Sequence, residues 1–459
     1  MKVTFYESGE IIPRGRHVKL RSLNLKIVIS SFRGHFFLRM SLFFLLIILV
    51  WLIRFPFIFR KLYAEDGTLL LHDALVNPFP KEFFQPASGY SLLIQRIGGR
   101  FISIFPLEYA PITSAIFAAL CLSFLAAGLY EFNNFLTRSF WPRFTLALCF
   151  IFLPLSSFAA VGNSANLYVY FMTASAVFIY YKEEKKSEVI FKCFVLGIAA
   201  LSLPLSVFLI PLIIHRSIIA KKITNRWRIQ KSDGVFVISL LLHMIFIAVT
   251  SLGERTPHSP QSLFKVVYLY LERGLGISIV PMWGFVSGTS GSPSYENTPG
   301  LLNSLATRMV VLIFIIAFLG AIYNRGRKVF PVNLRHQFWF ILMLGFGYSI
   351  IVGLFFNPEP RYMIFTSFLT YWVVLLLLES QTSFILKVGL NSYLIVVLIL
   401  GLTASGHRSN GPEWRPELAK ARQECSILTP EQEVRIRILP IVPQWEMVLS
   451  CKILTGVDR

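Results

Sequence analysis

Acidic residues are the scarce commodity of this chain. Its 459 residues hold 24 Asp and Glu against 44 Lys and Arg, a formal charge of +20. The excess suggests nucleic acid, but Lys and Arg fall in short blocks between apolar runs, the pattern of charged loops flanking membrane spans. There are five cysteines and no Cys/His spacing of a metal site, so no metal ligand set is expected. Cys121, Cys149 and Cys193 lie in apolar runs as packing residues. Cys425 and Cys451 share a polar tail and can pair in an oxidising space. An internal repeat is also lacking, which counts against transporter folds built on repeats.

What is abundant is apolar surface. Hydrophobic residues make up 55% of the chain, aromatic residues 15%, and the mean hydropathy is +0.62. One soluble core cannot hide that much, so an all-α, polytopic helical membrane protein is expected. Residues 1–35 form a basic segment with no cleavage site after the apolar run that follows, read as an uncleaved cytoplasmic N-terminus.

The transmembrane domain is expected over 36–404. Its first span, about 36–53, covers about 27 Å at 1.5 Å per residue. Further spans are read at about 111–130, 144–160, 166–181, 235–251, 306–323, 336–355, 361–378 and 389–404. The apolar stretch 189–214 is basic at both ends and contains Ser202-Leu203-Pro204-Leu205-Ser206. Proline breaks a helix, so two half-helices with both ends on one side are expected there. One long tilted span is the alternative. The result is nine full spans plus one hairpin. Two outer loops, 54–110 and 252–304, and an extracytoplasmic tail, 405–459, complete the layout.

Against the scarcity of acids, Tyr63-Ala64-Glu65-Asp66-Gly67 stands out, a tandem acidic pair just past the first span. An amphipathic helix follows, with Leu70, Leu71, Ala74 and Leu75 on one side and His72 and Asp73 on the other. Seven residues are nearly two turns, which places Glu65 above His72 and Asp66 above Asp73. Such a helix would lie in the interface, its polar face toward the bundle mouth. Alternatively Asp66 caps this helix. A second interfacial helix, 90–105, sets Arg96 and Arg100 on one face and Leu93, Ile97, Phe101 and Ile104 on the other. Guanidinium groups at that depth suit a lipid phosphate, specific or bulk. Asn163 and Asn166 occupy a tight outer turn that can meet a sugar or simply make the turn. Asn357-Pro358-Glu359-Pro360-Arg361-Tyr362 opens a late span, and Arg361 at that helix N-terminus suits a phosphate.

The acidic motif, the Asn-containing turn, the Pro-broken hairpin and the Arg-Tyr opening together resemble the GT-C superfamily of membrane glycosyltransferases. Within it, bacterial O-antigen-modifying, serotype-converting enzymes are the nearest likeness. That resemblance implies an acidic residue of the first outer loop as general base, mapping onto Asp66 or Glu65. It implies a polyprenyl-phosphate hexose, glucose above all, as donor, and a lipid-linked or surface glycan such as O-antigen as acceptor. Transfer would invert configuration at the outer face of a bacterial cytoplasmic membrane. The donor phosphate would meet Arg361, Arg96 or Arg100; His72, Asp73, Asn163, Asn166 and Tyr362 would line the substrate site. The resemblance implies no certain cofactor and leaves metal dependence open, since a divalent metal is possible but not indicated. Membrane lipid is an expected partner and nucleic acid is not. A flippase or transporter of lipid-linked glycan and an O-antigen polymerase are the rival readings. GT-C members often carry a second acidic motif or a folded C-terminal domain, whereas the tail here is only about 55 residues.

Overall fold

The computed structural model describes residues 25–85, 91–132, 140–153, 161–225, 227, 229–250, 267, 332–355, 360–380, 411–439 and 445–455, with isolated positions between 388 and 398. The side chains of residues 25–34 and of Arg361 are not among those described. The expected span 306–323, the loop 252–304 apart from residue 267, residues 154–160 of the expected span 144–160 and most of 389–404 lie outside the described residues.

Helix α1 (Leu25–Arg54) is followed by a π-wound turn (Asp66–Leu71) that runs into α2 (His72–Val76). Next come α3 (Leu93–Ser103), α4 (Ala110–Phe132), α5 (Phe140–Ile151) and α6 (Leu167–Tyr180). The hairpin arms α7 (Lys186–Ser202) and α8 (Ile210–Thr224) precede α9 (Lys231–Thr250), α10 (Val332–Phe355) and α11 (Ile364–Ser380). Four of the described helical segments are long and apolar enough to cross a membrane: His35–Arg54, Leu107–Phe132, Pro204–Lys222 and Lys231–Thr250.

Burial shows which solvent these helices face. On α9, Ser232, Asp233, Ser239 and His243 are buried while Ile238, Leu241, Ile245 and Val249 are exposed. On α1, Phe43, Ile47 and Trp51 pack inward, and Leu38, Leu42, Leu45, Leu49 and Leu52 point out. Polar groups inside and a continuous apolar surface outside are the reverse of a helix in water, and fit one in hydrocarbon. The chain is a membrane protein.

The hairpin forms where proline demands it. Helix α7 stops at Leu203, which is extended (φ −146°, ψ 117°), and Pro204 opens a 3₁₀ segment leading to α8. Both arms return to the same end of the bundle. Lys192 of α7 donates to the Tyr181 carbonyl (2.9 Å) and to Gln230; Arg216 of α8 donates to the Ile179 carbonyl (2.6 Å) and to Asp233. Those carbonyls belong to the end of α6, whose last C=O groups have no helical partner and attract cations. A single tilted span would carry Lys192 and Arg216 to opposite sides.

The tail corrects the all-α expectation. It folds into α12 (Trp414–Cys425), an antiparallel pair β1 (Glu433–Ile438) and β2 (Trp445–Ser450), and α13 (Cys451–Thr455). Val434, Ile436 and Ile438 alternate inward along β1, and with Met447, Leu449, Trp414 and Leu418 build a small core. Leu62, Leu71, Ile102 and Leu107 join that core, so the tail is seated on the segment after α1. Cys425 and Cys451 form a disulfide that closes the module.

Two outcomes follow. Cysteines placed at Lys186 and Lys222, both exposed, will be labelled by an impermeant maleimide from the same side of sealed vesicles; labelling from opposite sides would reinstate the single span. Cys425→Ser with Cys451→Ser will destabilise the tail module by about 2–4 kcal/mol, read as faster proteolysis within 411–455.

Candidate functional site

Three separate stretches converge on Asp66. The first is its own: after α1 and a 3₁₀ turn (Pro56–Phe59), Tyr63 makes a single parallel bridge to Leu439, where the Ala64 N–H donates to the Leu439 carbonyl (2.5 Å) and the Leu439 N–H to the Leu62 carbonyl (3.1 Å). The chain then enters the π-wound turn, in which the His72 N–H reaches back five residues to the Gly67 carbonyl. Wider winding breaks the expected register, because positions seven apart no longer stack. Asp66 faces α4, whereas Asp73 faces α3. Leu70, Leu71 and Ala74 are buried in protein, so the α2 segment is not the interfacial helix that its pattern suggests.

Asp66 is 1% exposed and takes four hydrogen bonds. Ser114 Oγ of α4 donates at 2.7 Å, Ser164 Oγ at 2.9 Å, the Ser164 N–H at 3.2 Å and the Ala165 N–H at 2.8 Å. None is a first-turn N–H of its own helix. Asp66 therefore ties together other segments; it does not cap α2. Burial pushes its carboxyl up to about 6, against the opposing pull of these donors.

Helix α3 closes the arrangement from the side. A Cβ on Gly98 would lie 2.8 Å from Ser164 Cβ, and one on Gly99 would lie 2.4 Å from the Leu70 carbonyl oxygen. Only glycine permits that approach. The outward stripe Leu93, Ile97, Phe101 and Ile104 is partly or fully exposed, as the sequence pattern requires.

The other candidates disperse. Arg96, 1% exposed, binds Asp73 and the Gln85 carbonyl (2.9 Å). Its charge is met inside the protein, not by a lipid phosphate. Half-burial would raise the Asp73 carboxyl, but bonds from His72 (3.1 Å) and Arg96 hold it below the usual range. Arg100 donates to the Ala74 carbonyl (3.1 Å) and sits 3.6 Å from Glu82. Asn163 Oδ1 accepts from the Asn166 N–H (3.2 Å) and Nδ2 (3.1 Å), and both residues are buried. They build the turn that presents Ser164 and Ala165 to Asp66. Arg361 and Tyr362 lie in a 3₁₀ turn (Pro360–Met363) before α11, and Tyr362 packs on the main apolar core. Glu65 is half-buried beside Asp66. Among the described residues no cluster of three or more His, Cys, Asp or Glu forms a metal site.

Ser114 and Ser164 are the site residues that the sequence conceals. One lies within a span and the other inside the Asn turn. Beside Asp66, a cleft of about 10 Å³ is lined by Lys61, Tyr63, Ser114, Gly162 and Leu439. That is room for about one water or one hydroxyl group. No family model, curated protein or solved structure matches the chain.

The raised carboxyl has a definite sign. Its folded pKa of about 6 exceeds the ordinary 3.8, so its contribution to stability is fully present below about pH 4 and is lost as pH rises through 6. The loss amounts to about 3 kcal/mol. Thermal melts of wild type and Asp66→Asn between pH 4 and 8 will diverge in slope by that order. Gly99→Ala, which meets a backbone oxygen, will cost about 1–3 kcal/mol in the same melts.

Proposed function

We propose that the chain is a membrane glycosyltransferase that moves a hexose, glucose first among candidates, from a polyprenyl-phosphate carrier to a glycan acceptor at the outer face of a bacterial cytoplasmic membrane. The GT-C-like layout of nine spans and one hairpin, with the N-terminus in and the tail out, belongs to this reading. The observation that carries it is Asp66, a buried carboxylate raised to about 6 at the end of the bundle, beside a cleft the size of a hydroxyl.

A base acts best when its pKa lies near working pH. Asp66 meets that condition through burial, and its four fixed donors hold the carboxylate in place as it changes charge. A cleft this narrow admits an oxygen atom but not a sugar ring, so the acceptor would present one hydroxyl from outside. Asp66 then takes that proton as the oxygen attacks the anomeric carbon, and configuration inverts. Polyprenyl phosphate leaves with the negative charge, for which Arg361 is the preferred partner, since Arg96 is already paired. Glu65 is the alternative base. The buried charges Lys192, Arg216 and Asp233 hold helix ends together, an arrangement that supports anchoring over a translocation path.

The test uses wild type, Glu65→Gln and Asp66→Asn at equal membrane levels in a host that makes polyprenyl-phosphate hexoses, with the surface polysaccharide weighed by mass spectrometry. One added hexose is expected for wild type, and a loss of about 10²- to 10⁴-fold for Asp66→Asn. Transfer by wild-type membranes will rise through pH 6 to a plateau, because the base must be ionised. Equal transfer by all three chains would leave Asp66 a purely structural tie.

A further inference from the structure

A second feature lies on a different face of α3 from the one that touches Ser164 and Leu70. A groove of about 600 Å³ runs between α3 and α9, floored by the tip of the α7 arm. Phe83, Phe84, Leu93, Ile97, Leu242 and Phe246 form most of its wall. The volume is that of a ligand site, and nothing in the proposed transfer uses it.

Its chemistry narrows the occupant. Ser91 and His243 supply the polar side chains of the wall, and both are already engaged. Ser91 Oγ donates to the Leu201 carbonyl, the Ser91 N–H donates to His243 Nε2 (3.4 Å), and His243 Nδ1 lies 2.6 Å from the Ala200 carbonyl. One neutral tautomer satisfies both ring nitrogens, with Nδ1–H donating and Nε2 accepting. Among the described residues of the wall, no side-chain donor is left to recognise a sugar or a nucleotide, and burying one there would leave most of its polar groups unpaired. Only hydrocarbon fits.

Its surroundings identify the source. Leu242 and Phe84 in the wall are themselves exposed, and they continue the outward apolar face of α9 through Ile238, Leu241, Ile245 and Val249. The groove thus opens onto the surface that lipid chains bathe. At its rim, the guanidinium of half-exposed Arg100 sits 5.7 Å from the Phe79 ring centroid, and exposed Lys81 is close by in sequence. Glu82, buried beside Arg100, offsets one of these two charges and leaves the rim cationic.

We infer that this groove is a standing site for one acyl chain of an anionic membrane phospholipid, its phosphate held at the Lys81–Arg100 rim. The site is separate from that of any lipid-linked sugar. Its occupant wedges α3 against the hairpin tip, adding to the two bonds, Ser91 to Leu201 and Ile94 to Ser202, that otherwise tie them. Because α3 presses Ser164 toward Asp66 through Gly98, a filled groove also steadies that carboxylate's partners.

The test needs no transferase activity. Full-length protein in nanodiscs receives phosphatidylglycerol carrying a diazirine on one acyl chain, and photo-adducts are mapped by mass spectrometry. Adducts concentrated on 79–84, 93–97, Leu242 and Phe246 are expected, and Leu242→Trp, which fills the groove, will reduce them about tenfold. Leu241→Trp, on the adjacent lipid-facing surface, will leave them unchanged. Because Leu242 is already 56% exposed, the larger side chain does not disturb the core. Three results would each overturn the inference: adducts spread evenly over Ile245 and Val249; equal labelling by the matching phosphatidylcholine probe; or displacement by stoichiometric polyprenyl phosphate, which would give the groove to a lipid-linked substrate.

Discussion

Burying one carboxylate sets the terms for the end of the bundle that carries it. An ionised group at 1% exposure is tolerated only when its oxygens are met by donors. Asp66 finds them in Ser114, Ser164 and Ala165, residues 48 to 99 positions away. Each bond makes a long-range contact obligatory, because releasing any donor returns part of the desolvation cost. Position of the first loop, of α4 and of the turn before α6 is thus one coupled quantity. Gly98 and Gly99 complete it by letting α3 approach to a distance no side chain would permit.

The rest of the chain is a solution for two environments. Within the bundle, side-chain polarity is turned inward, and the few deep charges are spent on unpaired carbonyls at helix ends, as Lys192 and Arg216 show. That use costs no free polar group in hydrocarbon. The tail module supplies 11 of the 16 buried residues of its core, too few to stand unaided. The core is completed by a disulfide and by Leu62, Leu71, Ile102, Leu107 and Ala110 from the first loop. The tail module and the helical bundle therefore share a boundary of apolar side chains.

How much of this was legible depended on the range of the signal. Hydropathy located three of the four described segments long enough to cross, while Pro204–Lys222 was read as half of a hairpin; the paired basic flanks around Pro204 foretold that hairpin, since both are local patterns. Cys425 and Cys451 announced their bond by sharing one polar segment. The alternation Glu433-Val434-Arg435-Ile436-Arg437-Ile438 was equally legible as a strand, and a length-based reading of the tail passed over it. Concealed features were those in which one residue's role is set by a distant partner. Arg96 looked like a phosphate ligand until Asp73, 23 residues earlier, claimed it. Ser114 and Ser164 carry no pattern at all. The π winding at Asp66–Leu71 is invisible to a 3.6-residue period and shifted the face on which Asp73 lies.

The tail reaches the acidic segment from two sides at once. The Trp414 N–H donates to the Arg60 carbonyl (2.9 Å) and its indole to the Leu107 carbonyl (2.5 Å), while Leu439 pairs with Leu62 and Ala64. Arg422 pairs with Glu108. Residues 60–64 are gripped at both ends by one disulfide-closed body, and Gly67 lies against Ile438 of the same body. A segment held so cannot rotate independently of the tail. The orientation of the Asp66 side chain is therefore decided as much by residues 414–439 as by its own neighbours, and a carboxylate near one end of the chain depends on a fold completed at the other.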